Sequence, residues 1–259
     1  MAKDDASAGE SSGVAAVDRA LAIIAAFPED GKALTLAELA ARTDMHKSTI
    51  VRLSDSLLRR GYLQKLDDGR YQIGPTFFLT GAIYQRSLNI SDAVLPLLTR
   101  LGEQTRESCS FYVIHNGMRV CLHRVDSSHE VREIVLPGDV LPLTGGSAGL
   151  VLGAFSGARG ERYDRIRASY YYISLGERHA EIAGMAAPVF GTGQRLLGAL
   201  AISGPITRVK LEVLQKLRAP ILKAAAQATR ALGGNWQPLE AAATKVQGRK
   251  STSTATPMA

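Results

Sequence analysis

Between residues 14 and 75 the apolar positions follow a helical period three times and then switch to alternation, which predicts three helices and a hairpin. Val14, Val17, Leu21, Ile24 and Ala25 form the inner face of a helix from Val14 to Phe27, stopped by Pro28-Glu29-Asp30-Gly31. Thr35, with Glu38 three residues on, sets up a capping box ahead of a second, short helix. Thr43-Asp44-Met45 makes a tight turn, and a third helix from about Lys47 to Arg60 turns Ile50, Leu53, Leu57 and Leu58 inward. Gly61–Leu66 and Arg70–Gly74 alternate on either side of Asp67-Asp68-Gly69, a strong hairpin signal. Helix, helix, turn, helix, hairpin is the order of a winged helix-turn-helix.

Pro75 marks a boundary. Phe77, Phe78, Leu79, Ala82, Ile83, Leu88 and Ile90 form an apolar stripe on a linker helix over 76–92, and Ser91 caps the next helix, which carries Val94, Leu95, Leu97, Leu98 and Leu101. The period then becomes two. Ser108–Ile114 and Arg119–Val125 flank Asn116-Gly117, the preferred pair for a two-residue hairpin turn. Val131–Leu136 reads as a third strand, and Gly145–Gly149 opens a short helix to Phe155. A charged helix over 158–168, strands at Tyr170–Ile173, Met185–Phe190 and Leu196–Ile202, and a long helix from about Thr207 to Leu232 complete the pattern. Strands joined by hairpins imply an antiparallel sheet, so the fold class is α+β. The expected organisation is a disordered N-terminus (1–13), a winged helix-turn-helix (14–75), the linker helix, a second domain over 93–234 and a mobile tail (235–259).

A hydrophobic share of 46% and a charged share of 21% leave ample material for buried cores. The net charge of +7 favours a polyanionic partner, though it says nothing about fold. Two cysteines, Cys109 and Cys121, exclude a disulfide framework and suit a reducing compartment. No signal-peptide pattern opens the chain and no run of about 18 apolar residues occurs, so a cytoplasmic location is expected.

The basic residues matter by placement. In a helix-turn-helix the N-terminal part of the second helix enters the major groove, here His46, Lys47, Ser48 and Thr49, with Arg52 one turn on. Hydroxyls and a helix N-terminus suit phosphates, while Lys47 and Arg52 can reach phosphates or guanine edges. Arg70 on the hairpin would approach the minor groove or the backbone. The partner this predicts is double-stranded DNA.

Lys47-Ser48-Thr49-Ile50-Val51-Arg52-Leu53, followed by Gly61-Tyr62-Leu63 and Asp68-Gly69-Arg70-Tyr71, resembles the IclR family of bacterial regulators. Leu141-Pro142-Leu143 before the small-residue loop, Gly184-Met185-Ala186-Ala187-Pro188-Val189-Phe190 and Ile202-Ser203-Gly204-Pro205 extend the likeness over about residues 14–234. The resemblance implies a GAF/profilin-like second domain that binds a small effector, often an organic or aromatic carboxylate. It also implies homodimers or dimers of dimers on palindromic operators, and no cofactor. Carried over by position, the effector site comprises Ser147, Ala148 and Gly149, whose N–H groups open a helix, with Ile182 and Gly184 as lining and Ser203 as a hydroxyl donor. The chain departs from the family in a short segment between Phe155 and Tyr170, and in having Ala201 and Gly184 where some relatives carry Ser and Cys.

Other readings compete. Gly145-Gly146-Ser147-Ala148-Gly149 fits the G-x-S-x-G nucleophile elbow of Ser hydrolases, and Asp164 and His179 follow in the hydrolase chain order. Against it, that fold needs many parallel strands, and too few residues remain for them. Cys121 and His123, two apart on a strand, would face one way as a metal pair, but a zinc site wants three or four ligands, and Cys121 suits a small buried apolar position. Tyr170-Tyr171-Tyr172, beside Glu177, Arg178 and His179, fits either an effector mouth or gate or a strand of packing tyrosines. A winged helix that binds protein instead of DNA is the remaining alternative, opposed by the basic face from His46 to Arg60.

Overall fold

The computed structural model describes residues 13–87 and 90–251. They fall into two units divided between positions 87 and 88. Of the expected disordered segment only Gly13 is described, and Leu88 of the linker stripe lies outside the described residues.

The first unit holds α1 (Ala15–Ala25), α2 (Leu36–Thr43), α3 (Lys47–Arg59), β1 (Leu63–Lys65), β2 (Tyr71–Ile73) and α4 (Thr76–Ser87). The Thr35 capping box forms in full, its hydroxyl oxygen accepting from the Glu38 N–H while Glu38 accepts from the Thr35 N–H. Asp44 ends α2 in a left-handed conformation, φ 53°, which turns the chain directly into α3. The hairpin pairs Leu63 with Ile73 and Lys65 with Tyr71, and Leu34 bridges to Tyr71 beside it. Ile23, Leu34, Leu39, Ile50, Leu63 and Tyr71 form the core. The inner face expected for α1 is corrected: Ile23 is the buried residue, while Val14, Val17 and Leu21 are exposed.

The second unit is a six-stranded antiparallel sheet with helices on both faces. Its elements are α5 (Ile90–Thr105), β3 (Ser108–His115), β4 (Met118–Val125), β5 (Val140–Pro142), α6 (Gly146–Phe155), α7 (Glu161–Ser169), β6 (Tyr172–Leu175), β7 (Ile182–Phe190), β8 (Leu196–Pro205), α8 (Leu211–Ala231) and α9 (Gln237–Ser251). The strand order is β5-β4-β3-β8-β7-β6. Asn116 and Gly117, both at positive φ, make the tight turn between β3 and β4. Strand alternation sorts the side chains. Phe111, Met185, Leu200 and Ile202 meet α5, α8 and α9 on one face. Tyr112, Cys121, Ala186, Ala199 and Ala201 meet α6 and α7 on the other.

Four expectations are corrected here. Residues 131–136 do not join the sheet: Glu133 and Val135 point in and Ile134 and Leu136 point out, but the segment has no ladder partner. The edge strand is Val140–Pro142 instead, paired with β4. The tail is not free after 235, because α9 buries Leu239 and Ala243 in the larger core. Ser91 does not cap α5 from outside but lies within it. Finally, Cys121 and His123 do not face the same way. A β-bulge pairs Cys121 with Tyr112 and His123 with Phe111, leaving Leu122 as the extra residue. Cys121 therefore packs toward α6, while His123 meets Ser91 of α5 at 2.9 Å.

Candidate functional site

In the first unit the N-terminus of α3 is the chemically open end. His46 precedes it without a side-chain cap, and no acidic residue sits in its first turn. His46, Lys47, Ser48 and Arg52 are exposed and Thr49 is half-buried, because Ile50 and Ser54 take the inner face. Neither Lys47 nor Arg52 forms an ion pair among the described residues, so both charges are available to a polyanion. Arg70 differs: it pairs with Asp68 across the hairpin turn at 2.7 Å, and reaching a phosphate would mean exchanging that partner.

In the second unit a pocket lies between the sheet and the start of α6. Ser147, Ala148, Ile182, Gly184 and Ser203 all line it. Strand pairing explains the convergence, since Gly184 sits opposite Ser203 in the β7–β8 ladder. A Cβ at Gly184 would lie 2.6 Å from the Ile202 carbonyl oxygen, so a larger residue is excluded without movement of β8. Gly149 is not part of the lining. It packs behind the loop, where a Cβ would come within 2.7 Å of the Leu143 carbonyl oxygen.

Of the charged members of the pocket, the sequence singles out only Arg178, as part of an effector mouth; Arg119 and Glu133 were not anticipated. Arg119 on β4 is 3% exposed. Its guanidinium lies 5.1 Å from the centre of the Tyr112 ring, and its Nε has no hydrogen-bond partner. Burial holds Arg119 below the ordinary arginine value, with the nearby Arg178 charge adding to the effect. Arg178, itself lowered by burial, ion-pairs with the buried carboxylate of Glu133, which also accepts from the Ser203 hydroxyl. Arg124 anchors the same segment, donating to the Ser110 hydroxyl at 3.0 Å and to the Glu133 main-chain carbonyl. The usable sequence signal for Arg119 was a charge next to the apolar run Val120–Leu122 of the strand that also carries Arg124. For Glu133 it was a charge at an inward position of the alternating 131–136 segment.

The hydrolase constellation does not assemble. Asp164 on α7 pairs with Arg167, His179 is exposed, and no hydrogen bond joins Ser147 to a histidine among the described residues. The tyrosine triplet is divided. Tyr170 stacks on Phe155 at 5.6 Å, Tyr171 accepts from Arg218, and Tyr172 donates to Glu177. None of the three lines the pocket. Among the described residues no group of three or more His, Cys, Asp or Glu is placed to hold a metal, and no helix is long and apolar enough to cross a membrane.

A winged helix-turn-helix with an uncapped, basic reading helix, followed by a helix-flanked sheet enclosing a charged pocket, defines a DNA-binding regulator with a sensing unit. Comparison with known proteins agrees. The family model "IclR helix-turn-helix domain" matches residues 16–67, and "Bacterial transcriptional regulator IclR C-terminal" matches residues 160–230. The chain is similar to the HTH-type transcriptional regulator BhcR of Paracoccus denitrificans, at 27% identity over 84% of this chain and 87% of that protein. It is also similar to the transcriptional repressor IclR of Escherichia coli, at 24% identity over 85% and 91%. Among solved structures, a transcriptional regulator from Rhodococcus sp. RHA1 superposes with a TM-score of 0.72 at 25% identity, covering 85% of this chain and 98% of that one. An IclR homolog from Microbacterium hydrocarbonoxydans, solved with 4-hydroxybenzoate, gives 0.73 at 19% identity over 84% and 99%. Both family models are of the IclR type and these relatives are transcriptional regulators, and together they support an IclR-family regulator.

Proposed function

We propose that this regulator binds a palindromic operator as a homodimer or dimer of dimers, and that a small organic anion, of the carboxylate class, seated in the sensing pocket modulates that binding. The observation that carries the reading is Arg119, a buried guanidinium with no acid partner among the described residues, lining a pocket beside the N-terminus of α6. An isolated buried cation is costly to maintain, and the cost is offset when a ligand supplies the counter-charge. The complex of a structural relative with 4-hydroxybenzoate, an aromatic carboxylate, supports the same chemistry.

The DNA contacts fall to His46, Lys47, Ser48, Thr49 and Arg52, with Arg70 on the hairpin. The linker helix would couple the spacing of two such helices to the pocket, so that the ligand shifts populations between spacings. Pairing of copies is supported by two exposed apolar stripes, Val17 and Leu21 on α1 with Val14 just before it, and Phe78, Leu79 and Ile83 on α4. The matching location is the cytoplasm, where the operator lies. The test is binding of the purified protein to its own upstream intergenic DNA, titrated against salt with and without small carboxylic acids. Salt-sensitive, sequence-specific binding that changes with one acid supports the proposal. Specific binding indifferent to every acid removes the effector part, and no specific binding at any salt removes the DNA part.

A further inference from the structure

The pocket already contains a carboxylate, and the chain itself supplies it. Glu133 reaches in from the segment between β4 and β5 and takes up Arg178 and Ser203. With Glu133 seated, the remaining cavity is about 40 Å³, room for water and not for an organic acid. The charges do not balance around it: Arg119 and Arg178 face one acid, and among the described residues Arg119 has no acid partner and its Nε no hydrogen bond.

The segment carrying Glu133 is held differently from the rest of the sheet. Residues 131–136 make no ladder pairs. Besides Glu133 itself, the main chain is anchored by Arg124 on the Glu133 carbonyl, by Arg208 on the Val131 carbonyl at 3.1 Å, and at its end by Asp139, which accepts from the Leu136 N–H at 2.7 Å and donates to the Leu136 carbonyl at 3.0 Å. Its neighbours Val131, Ile134 and Leu136 are exposed, Ile134 at 82%. Apart from Val135, which is buried, withdrawing Glu133 would break chiefly its own pair with Arg178 and its hydrogen bond with Ser203, freeing that guanidinium and hydroxyl beside Arg119.

We infer that Glu133 is a resident stand-in for the ligand: the pocket admits a small organic acid only by displacing the Glu133 carboxylate from Arg178 and Ser203, and the 131–136 segment moves when it does. The inference rests on the proposed effector role of this pocket. It assigns Glu133 as an internal competitor that sets the threshold concentration of the ligand, and Arg119 as the group left in reserve for the incoming anion.

The test is isothermal titration of acetate and of malonate into the full-length wild type, Glu133→Gln, Glu133→Asp and the double variant Glu133→Gln/Arg119→Gln. Glu133→Gln removes the competing charge and keeps the shape, so at least one probe should bind it tenfold or more tighter than it binds the wild type. Glu133→Asp keeps the charge but retracts it by one methylene. It should bind with intermediate affinity, and it stands in should Glu133→Gln fold poorly. Binding that is equal or weaker in both Glu133 variants, or absent from both, overturns the competitor role. Tight binding that survives the added Arg119→Gln places the anion elsewhere and overturns the effector reading of the pocket itself.

Discussion

Replacing Arg119 by methionine should make the protein more stable and less responsive. The arginine is 3% exposed, its Nε lacks a hydrogen bond, and a second guanidinium lies close enough to depress it further. A buried polar group left unsatisfied costs roughly 1–3 kcal/mol, more when charged, and methionine removes that cost while filling a similar length. The loss to be set against it is the contact with the Tyr112 ring, about 0.5–2 kcal/mol for a desolvated cation over an aromatic face. The balance is a gain of about 1 kcal/mol, and a unit of this size converts that into a rise in Tm of about 2–4 °C. Differential scanning calorimetry of both proteins, without added acids, reads the shift directly. A Tm lowered by 2 °C or more would show that Arg119 is well satisfied by the chain itself, and an external counter-charge would not be needed. The same variant should lose any change in operator affinity caused by carboxylic acids.

Three further outcomes are expected. Arg52→Ala should weaken operator binding by roughly 1–3 kcal/mol if the side chain makes a bidentate base contact, and an unchanged affinity at fixed salt would remove it from the reading surface. Leu239→Ala should cost about 2–5 kcal/mol in denaturant unfolding, since Leu239 is fully buried in the larger core; a loss below 0.5 kcal/mol would mean that α9 is only loosely docked. Burial pushes the Cys109 thiol up to about 12 and Cys121 up to about 11. Both should therefore resist iodoacetamide at pH 8 in the folded protein and react in urea, as read by mass spectrometry. Because the unfolded chain releases these protons first as pH climbs past the ordinary value of 9.0, their contribution is intact below pH 9 and declines above it. Stability that stays flat from pH 9 to 11 would contradict the assignment.

What the sequence made legible was whatever depends on neighbours in the chain. The Thr35–Glu38 box, the Asp44 turn, the Asn116-Gly117 hairpin and the outward set Lys47, Ser48 and Arg52 are local chemistry, and all appear as read. The misses have non-local causes. In α1 two apolar stripes compete, and only packing against α2 and α3 selects Ile23 over Val14, Val17 and Leu21. In 131–136 the alternation was real, but the buried residues are held by side chains far along the chain: Arg178 and Ser203 lie 45 and 70 positions from Glu133. The polar look of α9 hid it, since two buried side chains four residues apart suffice to dock it. Of the pocket lining, Ser147, Ala148, Ile182, Gly184 and Ser203 were expected only through the family resemblance carried over by position, whereas its charges required knowing which strand lies beside which.

The extra residue at Leu122 has a consequence for parity. Arg119 and Arg124 are separated by five positions, an odd number, and on a regular strand they would stand on opposite sides of the sheet. The bulge adds the missing step, so both guanidiniums come out on the same side, one into the pocket and the other onto the backbone of the segment that fills it. A single irregular residue thus lets one strand grip both the cavity and its plug. A relative that lacks the bulge could keep both functions only with the two arginines an even number of residues apart.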